Sequence, residues 1–235
     1  MRNIQKLRKA LTISYSRLSL FFNCPFIYNE KYINGNKHTQ TIGPALIKGI
    51  KEHKLYESLL NEEQTVEELE NKVLSKVRLK EFVKLTKKLG LTFDDIEAES
   101  DFTLKFDNLD CKLRVILDGL AIVKENNTAY LFEFKTGRSY PTHIDQCEFY
   151  SYFLLQKYPE LTQIKYYIYG LEAPFSTINS IDRDKHNFNR LEKKIKRLVS
   201  FYDKYEKIKN NIPKNPNICC NSCLLPCKYS KLKGS

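Results

Sequence analysis

The clearest pattern of apolar and polar positions lies in YLFEFKTG, residues 130 to 137. Alternation along a strand places Leu131, Glu133 and Lys135 on one face and Phe132 and Phe134 on the other. The aromatic face is expected against a core. The other face then holds a carboxylate and an ammonium close to that core, where such groups are costly unless they are paired or bind something. Two strands are predicted ahead of it, ESDFTLKF and KLRVILDGLAIV, separated by the turn-like DNLD, with ENN leading into the third. Such short turns predict an antiparallel meander. QIKYYIYG reads as a fourth strand and STINSIDR as a short edge strand.

Helical spacing occupies the remainder. A helix is predicted from Ser14 or Ser16, both good N-caps, towards Tyr32. After the loop-like NGNKHTQT, residues 43 to 60 read as a helix with Leu46, Ile50, His53 and Glu57 on one face. Residues 65 to 89 read as one amphipathic helix ending at Gly90. A helix from about His143 to Lys157 follows the third strand. A long basic helix, KHNFNRLEKKIKRLVSFYDKYEKI, is ended by the Pro213 and Pro216 region.

The 235 residues suit one substantial domain, with room for a small appendage. A hydrophobic content of 42% with 12% aromatics argues for a packed core rather than disorder. No apolar run is long enough to cross a bilayer. With 39 basic against 28 acidic residues, the net charge of +11 favours a polyanionic partner. Nucleic acid comes first and an anionic membrane surface second, and a lysine-rich solvated surface accounts for the charge as readily. The N-terminal stretch is basic with no acid before Glu30, like an organelle transit peptide, but it lacks a secretory apolar segment with a cleavage site. Of seven cysteines, four (Cys219, Cys220, Cys223 and Cys227) fall within nine residues. That clustering predicts a metal site in a reducing, intracellular compartment.

Asp118 interrupts an otherwise apolar strand, and pairing with the next strand brings it beside Glu133. Two carboxylates and a lysine can hold a hard divalent cation and activate a water. A strand-edge ion pair is the simpler explanation of these three residues taken alone. Arg114, four residues before Asp118, shares its strand face. Thr136, Gly137 and Arg138 are expected in a loop at the mouth of the site, and Glu97 or Glu99 is a further candidate near the metal. Cys220-x2-Cys223-x3-Cys227 offers three natural metal ligands. Cys219 competes with Cys220 for one place, since neighbouring side chains in an extended chain point apart. Zinc remains one reading of this set.

Asp118 followed by Glu133-x-Lys135 resembles the D…(D/E)-x-K signature of the PD-(D/E)XK nuclease superfamily. GPALIKGIKEH ends in His53 on a helix upstream of the strands, where RecB-like members carry a histidine as an added metal ligand. Gln146 and Tyr150 in QCEFY resemble the Q-x-x-x-Y motif that follows the catalytic strand in those members. SYSRLSLFFNCPFIYNEKYI resembles the opening helix of RecB-like nucleases that carry an iron–sulfur cluster, such as the AddB nuclease domain and the CRISPR-associated exonucleases. In those families one N-terminal cysteine joins three C-terminal ones around a [4Fe–4S] cluster. The resemblance covers nearly the whole chain in the expected order, although the last cysteine spacing is shorter than usual.

This resemblance implies an α/β (α+β), restriction-endonuclease-like fold: a central mixed sheet flanked by helices in one domain over residues 1 to 235. The nuclease core is expected at about 43 to 210, and an iron–sulfur subdomain is expected from about 14 to 33 with 213 to 230. It implies Mg2+ or Mn2+ held by His53, Asp118, Glu133 and the carbonyl of Phe134, the imidazole tilting the preference towards Mn2+. Lys135 would orient the attacking water, Gln146 would position Lys135 or a phosphate, and Tyr150, Arg114 and Arg138 would meet DNA. Cys24, Cys220, Cys223 and Cys227 would hold the [4Fe–4S] cluster. The implied activity is a DNA exonuclease on single strands or DNA ends, acting in recombination, repair or CRISPR spacer acquisition. A protein partner from recombination or adaptation and an oligomeric assembly are compatible with it. The basic helix with Lys193, Lys194, Lys196 and Arg197 is expected to track the backbone. A non-cutting iron–sulfur DNA-binding protein, a structure-specific endonuclease and a zinc-bound nucleic-acid module remain the alternatives.

Overall fold

The computed structural model describes residues 3–36, 43–137, 141–215, 220, 223–225 and 227. Along the chain run α1 (Ile4–Lys9), β1 (Thr12–Ile13), α2 (Tyr15–Asn23), α3 (Pro25–Tyr28), α4 (Pro44–Leu60), α5 (Val66–Leu69) and α6 (Lys76–Lys88). Then come β2 (Glu97–Phe106), β3 (Cys111–Val123), β4 (Thr128–Lys135), α7 (Pro141–Lys157), β5 (Gln163–Gly170), β6 (Ser176–Asp182), α8 (Asn189–Asp203) and α9 (Tyr205–Ile208). The residues divide into two compact units. One is Met1–Ile42 with Thr103–Arg114 and Phe188–Ser235, and the other is Gly43–Phe102 with Val115–Asn187.

The second unit is built around β4. Strand β3 pairs with it antiparallel from Gly119↔Phe132 to Val123↔Thr128, as the short turn predicts. Strand β5 pairs with it in parallel from Thr128↔Gln163 to Lys135↔Gly170, and β6 continues antiparallel on β5. Strand β2 pairs with β3. The result is the expected mixed sheet flanked by helices. Every residue of β4 except Lys135 is buried, so both its faces are covered. Phe132 and Phe134 meet the predicted core: Phe82 of α6 stands edge-on to Phe132 at 5.7 Å, and Tyr56 of α4 lies 5.1 Å from Phe134. Such aromatic pairs add about 0.5–1.5 kcal/mol each beyond the area they bury.

Two helical expectations are corrected. Residues 65 to 89 form two helices, not one. Thr65 and Glu68 make a reciprocal capping box for the single turn of α5, and Ser75 caps α6 by accepting from the Arg78 N–H. Between them the Leu74 N–H is taken by Glu52, whose carboxylate is 2% exposed and accepts at 2.9 and 3.2 Å. A continuous helix would have sent that N–H to its own preceding turn. Helix α6 closes at Gly90, whose φ of +72° is the left-handed position expected there. The helix beginning at Ser14 breaks at Cys24 (φ −156°, ψ 100°), because Pro25 disfavours the helical region for the residue before it. It resumes as α3 and a π-helical turn, Asn29–Asn34. On α4 the face carrying Leu46 and Ile50 is not the core face: these two are 55% and 50% exposed, while Glu52, Tyr56, Leu59 and Leu60 are buried.

In the first unit, α1 and β1 are elements that the apolar pattern did not predict. Arg8 of α1 pairs with Asp110 at 2.6 Å and Asp203 at 2.7 Å, and Thr12 of β1 lies in parallel register with Lys112. The predicted basic helix appears as α8 and α9. Tyr28 and Tyr202 share a buried hydroxyl–hydroxyl bond of 2.9 Å, and the Phe26 N–H donates to the Pro213 carbonyl at 3.1 Å. No described helix is long and apolar enough to cross a membrane.

Arg78, buried in α6, clamps the turn after β5. Its Nε donates to the Gly170 carbonyl at 2.8 Å and its Nη2 to the Phe175 carbonyl at 2.9 Å, while Cζ lies 4.1 Å from the Tyr169 ring centroid. Gly170 permits this turn, since a Cβ there would run into the carbonyl oxygen of Ala173. Replacing Arg78 with Ala removes both hydrogen bonds, leaving the Phe175 carbonyl only the bond from the Gly170 N–H, and removes the cation–π contact. Arg78→Ala is therefore expected to lose about 2–4 kcal/mol of stability in denaturant unfolding. Glu81→Ala, which removes only the half-exposed ion-pair partner, is expected to lose less than about 1 kcal/mol. Equal losses from the two variants would reject the clamp.

Candidate active site

The antiparallel ladder between β3 and β4 ends at Gly119↔Phe132. One step further, Asp118 would stand opposite Glu133. There the Asp118 side chain replaces a backbone acceptor: its Oδ2 takes the Phe134 N–H at 2.6 Å. Gly119 allows the close approach, because a Cβ there would lie 3.1 Å from Ile96 Cγ2 and 3.4 Å from Phe132 Cβ. Glu133, on the face of β4 opposite the aromatics, is 2% exposed. Its Oε1 bonds the Lys135 ammonium, and its Oε2 is buried with no hydrogen-bond partner among the described residues. Helix α7 holds the lysine from the far side. Gln146 Oε1 accepts from Lys135 Nζ at 3.3 Å, and Gln146 Nε2 donates to the Tyr150 hydroxyl at 2.7 Å. The spacing of four residues puts both on one helical face.

From the opposite side α4 presents His53, whose Nδ1 lies 3.3 Å from Asp118 Oδ1 and whose ring stands edge-on to Phe134. His53, Glu99 and Asp118 each offer a ligand atom within 4.8 Å of the others. An imidazole and two carboxylates at that separation form a donor set that fits a divalent cation. Gly49, one turn before His53, brings α4 close to the end of β4: a Cβ on it would meet Thr136 Oγ1 at 3.0 Å.

Burial and like charge govern the electrostatics. Burial, then the charge of Asp118, push Glu133 up to about 7 against the pull of Lys135 and His53. Burial draws Lys135 down, yet Glu133 and Asp118 outweigh it and hold the ammonium above its ordinary value. His53 follows the same pattern, with burial opposed by the bond and charge of Asp118, and it ends raised. Burial, Asp118 and Glu57 raise Glu99. Burial raises the Tyr150 phenol, and burial with the nearby Lys135 pushes His143 down to about 4.

The structure thus brings together His53, Asp118, Glu133, Lys135, Gln146 and Tyr150, with Phe134 contributing its N–H. Tyr150 is buried. Arg114 is exposed and belongs to the other unit, and Arg138 lies outside the described residues. Glu99 enters the site more directly than the alternation of β2 alone would place it. In the first unit, Cys24, Cys220, Cys223 and Cys227 are all buried. Burial raises the Cys223 thiol, and Cys227, Cys220 and Cys24 push the same way. Cys24 and Cys223 share an apolar cluster with Ile27 and Leu225. Among the described residues no three of these sulfurs lie within 4.8 Å of one another. Cys219 lies outside the described residues.

The crystal structure of a protein from Eubacterium rectale that is named an exonuclease aligns at a TM-score of 0.49 and 13% identity, over 92% of this chain and 88% of that one. The protein SSO0001 aligns at 0.47 and 14%, over 97% and 95%. No curated protein matches. The family model of the PD-(D/E)XK nuclease superfamily matches residues 12–227, from β1 to the last of the four buried cysteines and across Asp118, Glu133 and Lys135. The chain belongs to the PD-(D/E)XK nuclease superfamily.

Proposed function

We propose that this protein is a metal-dependent deoxyribonuclease of the RecB-like type, an exonuclease hydrolysing phosphodiesters in single-stranded DNA or at DNA ends. The observation that carries this reading is the Asp118–Glu133–Lys135 group, in which the buried Glu133 Oε2 has no partner among the described residues. A buried carboxylate oxygen without a donor is costly, and a cation supplies what it lacks. His53, Asp118, Glu133 and the Phe134 carbonyl would hold Mg2+ or Mn2+. When bound, the metal lowers the pKa of a water and neutralises charge on the scissile phosphate. Lys135, kept protonated by its acidic neighbours, would orient the attacking water and stabilise charge growing on the phosphate. Gln146 fixes the ammonium, and the buried Tyr150 fixes Gln146. The net charge of +11 supports a polyanionic substrate.

Cys24, Cys220, Cys223 and Cys227 would carry a [4Fe–4S] cluster. Four buried thiols in one unit suit thiolate ligation once a cluster takes their protons' place. A role in recombination, repair or CRISPR spacer acquisition, with a protein partner and oligomeric assembly, completes the reading.

On end-labelled DNA with Mg2+ or Mn2+, the protein is expected to release nucleotides from an end, and EDTA is expected to abolish this. Lys135→Ala should lower the rate by about 10²–10³, and Gln146→Ala by about 10–100-fold. Internal products appearing first would favour the structure-specific endonuclease. DNA binding without cleavage under any metal would favour the non-cutting protein.

The metal-free protein should show the protonation of Glu133 in its stability. Its folded-state value, about 7, lies above the ordinary 4.5, so its contribution is fully present below pH 4.5 and lost as pH rises through about 7. Relative to Glu133→Gln, wild type should lose unfolding free energy between pH 5 and pH 8. Parallel curves for the two proteins would contradict the buried, cation-seeking carboxylate.

Anaerobically purified protein should be brown, with a band near ~400 nm typical of thiolate-ligated clusters. Cys24→Ser should bleach it. Colourless wild type containing stoichiometric zinc would replace the iron–sulfur assignment.

A further inference from the structure

We infer that Glu99 is a protein ligand of the active-site cation, a carboxylate that the D…(D/E)-x-K signature does not contain. The inference rests on the metal-dependent reading above and deepens it.

Four described residues other than glycine adopt positive φ, and three of them (Glu62, Asp110 and Asn127) lie in turns. Glu99, at φ 46°, lies inside strand β2. Its effect is visible in the packing on either side. Ala98 packs against the cluster containing Tyr56, Phe82 and Phe132, on the α4 and α6 side of the sheet. Phe102, four residues on, stacks on Phe153 of α7. Regular alternation would keep 98 and 102 on the same face. The left-handed residue acts as a bulge that changes the face and re-aims its own side chain.

The re-aimed carboxylate arrives within 4.8 Å of both His53 and Asp118. It makes no hydrogen bond or ion pair among the described residues. The charged groups around it are Asp118 from β3 and Glu57 and His53 from α4. An acid turned towards two other acids and one shared imidazole gains nothing from the protein alone. A second, independent sign of a missing cation sits beside it, the buried and unpartnered Oε2 of Glu133, whose charge acts on the same His53. A divalent cation satisfies both. His53, Glu99 and Asp118 would then hold it from one side, with Glu133 on the other. Mn2+ suits this mixed imidazole and carboxylate set.

The test is Mn2+ binding by isothermal titration calorimetry to the full-length, metal-free protein, so that no turnover is needed. Two variants remove the carboxylate. Glu99→Gln keeps the size, and Glu99→Gly accepts positive φ without strain and so guards against misfolding. Both are expected to weaken Mn2+ binding at least ~10-fold, as loss of a group at a metal site typically does. Both should also shrink the thermal stabilisation that Mn2+ confers. Glu57→Gln, which removes the neighbouring acid outside the set, should stay within ~2-fold of wild type. Wild-type affinity in either Glu99 variant overturns the inference. Asp118→Asn separates the two levels. If it abolishes binding while the Glu99 variants bind normally, only the role of Glu99 falls. If wild type itself binds no Mn2+, the metal-dependent reading falls with it.

Discussion

The hydrogen bond from the Phe134 N–H to Asp118 is the constraint around which the active site is arranged. An antiparallel ladder that simply stopped at Gly119↔Phe132 would leave that N–H without a backbone acceptor. Asp118 supplies one, and three consequences follow. Its Oδ2 is fixed, so Oδ1 is left facing His53. The ladder of paired residues stops here, and a side chain from β2, Glu99, reaches within 4.8 Å of Asp118. Glu133, next in register, is held in the buried wall with Lys135 bonded to it and His53 near enough to act on its charge. The acid that the signature calls catalytic is thus first a structural acceptor, and its orientation is set by the sheet.

The sheet and its central acids were legible in the sequence because they depend on short-range alternation. The strands β2 to β6, the two faces of β4 and the pairing of Asp118 towards Glu133 all follow from a period of two with polar turns between. The features that escaped depend on distant partners. The stop between α5 and α6 requires Glu52, 22 residues before the Leu74 N–H that it captures. Helix α1 and strand β1 are too short to show a period; α1 takes its hold from Asp110 and Asp203, and β1 from its parallel pairing with β3. The position of Glu99 depends on a bulge that no glycine marks. The break at Cys24 was readable, since the Cys-Pro pair states it, but the longer helical pattern around it prevailed.

The face of α4 that carries His53 shows why apolar spacing alone misleads near a site. Leu46, Ile50 and His53 recur at helical intervals, which ordinarily marks a buried stripe. Here the helix is rotated so that Tyr56, Leu59 and Leu60 fill the core and His53 stands at its margin. A histidine wholly inside that core would be far from solvent and costly to charge. At the margin it reaches Asp118 and keeps a raised affinity for a proton, or for a cation in its place.

The rotation of α4 itself has an anchor. Glu52 and His53 are neighbours in sequence, so their side chains leave the helix about 100° apart. Glu52 is buried and binds the Leu74 N–H with both oxygens, which ties this side of α4 to the turn before α6. Arg78 of α6 in turn holds the carbonyls after β5, the strand that pairs in parallel with β4. A continuous path therefore runs from Glu52 through α6 and β5 to the strand that bears Glu133 and Lys135. The bond that interrupts one helix also anchors another, and it acts beside the contacts that His53 itself makes with Asp118 and Phe134.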